Sequence, residues 1–185
     1  MTRARRVLSA ALLALSIVFP FVVNAASEKP WYAEPFEELG FYVFDNPSRQ
    51  TDFTVETLTG KLSTRSSLKG NIVLLNFWAT WCPPCKEEIP SIENLGLAMK
   101  GKNFKIMAVS LGETRATVAS FVNKTKMTYP VYLDPKKSLT ATYASRGIPT
   151  TYVLDKNGDF IAAVIGGMKY DSPETIRLFA ELAAR

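Results

Sequence analysis

Two thiols spaced three residues apart dominate the chemistry available to this 185-residue chain. They are Cys82 and Cys85, its only cysteines, in the segment Trp81-Cys82-Pro83-Pro84-Cys85-Lys86. The segment falls where a short apolar run, Ile72 to Phe77, gives way to a helical pattern. A helix start presents unpaired backbone N–H groups and the positive end of the helix dipole, and both favour a thiolate over a thiol. A free cysteine titrates near about 8.5, and such a setting lowers this to about 3.5–7.5. Cys82 is therefore expected to be the exposed, activated nucleophile. Cys85, one helical turn on, can reach the same sulfur, as a dithiol must if it is to attack a disulfide and resolve its own mixed disulfide.

Other uses of the pair fit less well. A bridge across so few residues removes little unfolded-state entropy, less than the roughly 3 kcal/mol of a 15-residue loop. It also ties no two elements together. A metal site would need further ligands, yet there is no second cysteine pair and no histidine anywhere in the chain. Lys86 stands where a c-type haem attachment site needs histidine. The missing histidine also removes Ser-His-Asp and Cys-His hydrolases and His-ligated haem or copper.

The elements around the pair must now be placed. Arg3, Arg5 and Arg6 precede an apolar run from Val7 to Val23, and Val23 and Ala25 fill the −3 and −1 positions of a cleavage site. Residues 1–25 thus read as a secretory signal cut after Ala25. An uncleaved anchor is the alternative, although the run is short for a bilayer and contains Pro20. Arg5-Arg6 is similar to a twin-arginine signal, but Ala4 stands where a polar residue is expected, and no cysteine near the cut invites a lipid. Setting the three arginines aside leaves 19 basic against 17 acidic residues, a net charge of about +2. That balance, with no basic cluster interleaved with aromatics, gives no case for nucleic-acid binding.

Residues 26–49 contain aromatics but weak periodicity and read as a tether or extension packed against a domain spanning 50–185. Phe53 to Leu62 predicts a hairpin turning at Gly60. Ile72 to Phe77 predicts a strand buried on both faces. Ile89, Ile92, Leu95 and Met99 mark one face of a helix beginning near Pro83, and Pro90 should kink it. Strands are expected over Lys105–Ser110 and Tyr129–Leu133, and helices over Thr114–Lys126 and Lys136–Ala144. A hairpin should follow, flanking Asp155-Lys156-Asn157-Gly158. Ser172-Pro173-Glu174 should start a last helix, with Ser172 as its cap. The order β-β-β-α-β-α-β-α-β-β-α gives an α/β sandwich, a mixed sheet with helices on its faces.

The segment Asn76-Phe77-Trp78-Ala79-Thr80-Trp81-Cys82-Pro83-Pro84-Cys85-Lys86-Glu87-Glu88-Ile89-Pro90 resembles the active-site block of extracytoplasmic thioredoxin-family proteins of the TlpA/ResA type. The resemblance continues through Leu68-Lys69-Gly70, Val109-Ser110, Leu133-Asp134 and Gly147-Ile148-Pro149-Thr150-Thr151, and so covers residues 50–185. It implies a thioredoxin-like three-layer sandwich with a mixed β-sheet, flanking helices and an N-terminal β-hairpin extension. It also implies that Ile148-Pro149 is a cis-proline loop beside the cysteines, pairing with a substrate chain. Trp81, Pro83 and Pro84 would complete the substrate-binding surface, and Trp78 and Phe77 would belong to the core. Neither proline can donate an N–H to the Cys82 sulfur, which leaves that role to later amides. Glu88, three residues after Cys85 and on nearly the same helix face, would be a partly buried acid exchanging a proton with Cys85, whereas Glu87 is a surface acid. Ordinary thioredoxins carry a buried Asp where Asn76 stands, and an amide cannot titrate.

The function implied is reduction of disulfides in selected exported proteins of the periplasm, with no cofactor beyond the Cys82–Cys85 disulfide. Apocytochrome c or copper-site cysteines are the clients implied, and a membrane thiol reductase of the DsbD or CcdA type is the electron donor. Thr150 departs from the glutamate of CcmG-like proteins, so a generic TlpA-like role is the safer expectation. The alternatives are a copper chaperone or redox-silent binding module, and a thiol peroxidase. The peroxidase pattern P-x-x-x-T-x-x-C would need proline at position 75 and threonine at position 79, where Leu75 and Ala79 stand.

Overall fold

The computed structural model describes residues 29–48 and 52–185. The signal expected over 1–25 and the first residues of the extension lie outside the described residues. Among the described residues no helix is long and apolar enough to cross a membrane.

The sheet is organised around β4 (Ile72–Trp78), in which every residue is buried. Its side chains alternate between two cores, as strand geometry requires. Ile72, Leu74 and Trp78 face one, and Val73, Leu75 and Phe77 the other. β4 runs parallel to β5 (Phe104–Leu111), which runs parallel to β6 (Val131–Asp134). On the other side β4 pairs antiparallel with β7 (Thr150–Leu154), and β7 with β8 (Phe160–Ile165).

The first core is covered by α2 (Pro83–Ala98), α3 (Arg115–Thr125) and α5 (Pro173–Ala184). The second lies beneath a 3₁₀ turn at Arg65–Leu68 and the short α4 (Thr140–Tyr143). This is the thioredoxin-like three-layer arrangement expected. The N-terminal hairpin is present as β2 (Thr54–Thr57) and β3 (Leu62–Thr64), and β2 extends the sheet beyond β6. Thr114 and Ser172 cap α3 and α5 by accepting hydrogen bonds from Thr117 N–H and Thr175 N–H.

Two expectations are amended. The segment read as a tether or packed extension lies against the domain as regular structure, α1 (Ala33–Glu38) and β1 (Tyr42–Ser48), and β1 pairs antiparallel with β8 at the edge of the same sheet. Its Phe36 is fully buried against Phe41 and Phe179, with ring centroids at 5.0 and 5.9 Å. Arg185 at the other end of the chain lies 4.0 Å over the Trp31 ring. Six helical residues span under two turns, too few for a period to show in the sequence.

The second amendment concerns Lys136–Ala144, of which only Thr140–Tyr143 is helical. The buried Asp134 carboxylate accepts hydrogen bonds from Ser138 N–H, Ser138 Oγ and Leu139 N–H. Lys137 is left-handed at φ 54°. A side-chain turn thus takes the amides that a longer helix would use.

If the N-terminal arm belongs to the cooperative unit, Phe36→Ala should cost about 3–5 kcal/mol in urea unfolding. A loss below about 1 kcal/mol would mean that the arm merely rests on the domain.

Candidate active site

β4 ends at Trp78, and after three intervening residues the chain enters α2 with Cys82 as its N-cap, at φ −89° and ψ 109°. Cys82 and Cys85 form a disulfide with Cα atoms 5.3 Å apart. Pro83 and Pro84 have no N–H to offer, so the first amide of the helix that can reach the Cys82 sulfur is that of Cys85, which donates to Sγ at 3.3 Å. The Ile148–Pro149 peptide bond is cis, and the Ile148 carbonyl oxygen lies 3.7 Å from Cys82 Sγ. Trp81 is 65% exposed beside the pair, Pro83 and Pro84 are exposed, and Trp78 and Phe77 are buried.

Cys82 itself departs from expectation. In the disulfide form the residue is only 3% exposed rather than open to solvent. Its sulfur is covered by the bond to Cys85 and by the Ile148 carbonyl that the cis-proline loop brings over it.

Glu88 is also 3% exposed. The buried stripe of α2 runs Cys85, Glu88, Ile92, Leu95, so the acid occupies a core position. Its Oε1 accepts from Asn76 Nδ2 at 2.7 Å, whereas Oε2 has no hydrogen-bond partner. The Met168 backbone also favours the charged form, although its approach closes no hydrogen bond to Oε2. Burial outweighs both influences and pushes the carboxyl up to about 7. Two buried phenols, Tyr129 and Tyr170, lie within its electrostatic reach, and burial raises both above the ordinary tyrosine value.

The loop between β4 and α2 is held from the side. Glu113, buried after β5, accepts from Thr80 N–H at 2.9 Å, from the Thr80 hydroxyl and from Ser110 Oγ at 2.7 Å. Gly166, at φ +96°, donates its N–H to the Pro149 carbonyl at 2.8 Å. A Cβ on the adjoining Gly167 would meet the Pro84 carbonyl oxygen at 3.3 Å, so this segment packs closely on the first turn of α2.

This dithiol at a helix N-cap, beside a cis-proline loop, accompanies a match to the AhpC/TSA family over residues 48–163. The chain belongs to the AhpC/TSA family. Within it, the chain is similar to thiol-disulfide oxidoreductase ResA of Bacillus anthracis, 37% identical over 62% of this chain and 66% of that protein. ResA of Oceanobacillus iheyensis is 34% identical over 88% of this chain and 81% of that protein. The crystal structure of StoA from Bacillus subtilis superposes with a TM-score of 0.60 at 29% identity, covering 71% of this chain and 99% of that one. The aligned segment thus spans about two thirds of the Bacillus anthracis relative.

In this AhpC/TSA chain the structure brings together Cys82, Cys85, Trp81, Pro83, Pro84, Ile148 and Pro149 around one sulfur, with Glu88 one turn further along α2. The sequence assigns no role at the site to Glu113, Thr80, Thr151, Tyr170 or Gly167. For Glu113 a signal existed, since an acid directly after Leu111-Gly112 sits at the end of a parallel strand, where such sheets place their working residues. For Asn76 only its inability to titrate was read, not its role as a donor.

The raised Glu88 value has a consequence for stability. Between 4.5, the ordinary value, and about 7 the folded state binds the Glu88 proton more tightly than the unfolded state. Stability therefore falls as pH rises through that window, by about 3 kcal/mol in all. Glu88→Gln should remove most of this slope, so that the variant gains on the wild type at pH 8 and not at pH 4. Parallel unfolding curves at both pH values would show instead that Glu88 is not held neutral.

Proposed function

We propose that this chain is a periplasmic thiol–disulfide oxidoreductase that reduces disulfides of selected exported proteins. The observation that carries this reading is the Cys85 N–H directed at Cys82 Sγ from a proline-opened helix start, next to the Ile148–Pro149 loop. Backbone donors and the helix dipole stabilise negative charge on that sulfur, which is what a nucleophilic or leaving thiolate needs.

In the reduced protein, the Cys82 thiolate attacks one sulfur of a client disulfide, forming a mixed disulfide and releasing a client thiolate. Cys85 gives its proton to the Glu88 carboxylate and attacks Cys82 Sγ. The intramolecular disulfide re-forms, the second client thiolate leaves, and two electrons have passed to the client. An acid titrating near 7 accepts and returns a proton at neutral pH, which suits Glu88 to this step. A membrane thiol reductase of the DsbD or CcdA type returns the electrons. Since Cys82 is covered in the disulfide form, this donor's attack requires the Ile148 segment to yield. No cofactor beyond the disulfide is needed.

Trp81 offers an exposed aromatic platform for the client, and the backbone at Ile148 offers a strand-like pairing edge. Clients with paired cysteines, including apocytochrome c and copper-site proteins, fit this chemistry. Peroxide reduction fits less well, because Leu75 is sealed in the sheet and Ala79 has no hydroxyl to orient a peroxide.

The purified protein should accelerate insulin reduction by dithiothreitol, and Cys82→Ser should abolish the acceleration. Cys85→Ser should accumulate mixed disulfides through Cys82 in an export-competent cell, and mass spectrometry of these adducts names client and donor together. Retained activity in Cys82→Ser, or an absence of adducts in Cys85→Ser, would rule out the proposed exchange.

A further inference from the structure

Behind Glu88 stands a row of uncharged polar side chains supplied by three other elements. Asn76 on β4 donates from Nδ2 to Glu88 Oε1 at 2.7 Å and to Thr151 Oγ1 at 2.9 Å. Asn76 and Thr151 are cross-strand partners of β4 and β7. The Tyr170 hydroxyl, from the segment between β8 and α5, donates to the same Thr151 oxygen at 2.7 Å. All four residues are buried.

A buried phenol needs a partner, and plain satisfaction would account for one bond. The direction of the bonds says more. Thr151 Oγ1 receives hydrogens from both Tyr170 and Asn76, which fills both its lone pairs. With that oxygen committed as an acceptor, Asn76 must present its NH₂ and not its carbonyl to Thr151. The second hydrogen of the same NH₂ then falls on Glu88. Without the phenol, the Thr151 hydroxyl can turn and donate to Asn76, whose amide can flip and place its oxygen against the carboxylate. An amide cannot pass a proton along, so this row orients Glu88 and does not conduct.

We propose that Tyr170 is a positioning residue for the exchange reaction. By committing the Thr151 hydroxyl as an acceptor, it holds the Asn76 N–H on Glu88 Oε1 and leaves Oε2 as the carboxylate's one uncommitted oxygen. The inference rests on Glu88 serving as the proton partner of Cys85. The groups facing Glu88 are Asn76 from β4, Tyr170 ahead of α5, Tyr129 ahead of β6, the Met168 backbone and the cysteines of its own helix. Among the described residues no ion pair reaches it. The Asn76 N–H favours the charged carboxylate, so its loss must raise the Glu88 pKa further.

The test is a carboxyl-carbon NMR titration of Glu88 in the disulfide form, for wild type, Tyr170→Phe and Thr151→Val. Insulin reduction is followed in parallel, with Glu88→Gln and the Glu88→Gln/Tyr170→Phe double variant included. Tyr170→Phe and Thr151→Val should each raise the Glu88 midpoint by about one pH unit, a tenfold gain in proton affinity. Tyr170→Phe should slow turnover in the wild type and add nothing in the Glu88→Gln background. An unmoved midpoint in whichever of the two variants folds would overturn the role of Tyr170, as would an equal slowing in the Glu88→Gln background. If the midpoint moves but the wild type reduces no insulin, the positioning stands and the proposed function fails.

Discussion

Everything at this site depends on where one helix begins. α2 starts at Pro83, soon after the buried central strand ends at Trp78, and two prolines remove the first two N–H groups of its first turn, so the Cys85 amide is the one directed at the Cys82 sulfur. Helix-terminus electrostatics are worth about 0.3–2 kcal/mol, and one pKa unit is about 1.4 kcal/mol. The helix start alone can therefore shift the sulfur by about one unit, and the added amide hydrogen bond carries it further. Neither effect survives if the helix moves. The stripe Cys85, Glu88, Ile92, Leu95 and Met99 seated on the sheet is what stops it moving.

That same stripe contains an acid, which a design for stability alone would not place there. Burying the Glu88 carboxylate disfavours its charged form, and the structure offsets this only in part, through Asn76 and the Met168 backbone. Such a site sacrifices stability at neutral pH for a group that titrates there. The neighbouring clamp follows a different logic. Glu113 accepts three hydrogen bonds and holds the backbone leading to Trp81 and Cys82, so it fixes geometry where Glu88 is left with an oxygen to spare.

The sequence pattern was most legible where chemistry and periodicity coincide in a short span. The cysteine pair at a strand-to-helix junction, the cap Ser172, and the hairpin at Gly60 all rest on local rules, and the structure places these elements as read. The arm at 33–48 is legible only as a segment lying against the domain, because a six-residue helix shows no period and an edge strand takes its partner from far along the chain. The truncated α4 was hidden for a similar reason, since Asp134 competes for amides through a turn that propensity does not register. Tyr170, Thr151 and Asn76 meet only because β7 lies antiparallel beside β4. The cover over Cys82 comes from a loop 66 residues away. Residues joined by topology alone leave no spacing to read.

The most direct measurement is a thiolate titration of Cys82 in the reduced protein, followed by ultraviolet absorbance and by alkylation rate. A sulfur facing a helix start should ionise below about 7.5 and react well before Cys85. Ionisation at or above about 8.5, or preferential alkylation of Cys85, would contradict the idea that the start of α2 is what activates this pair.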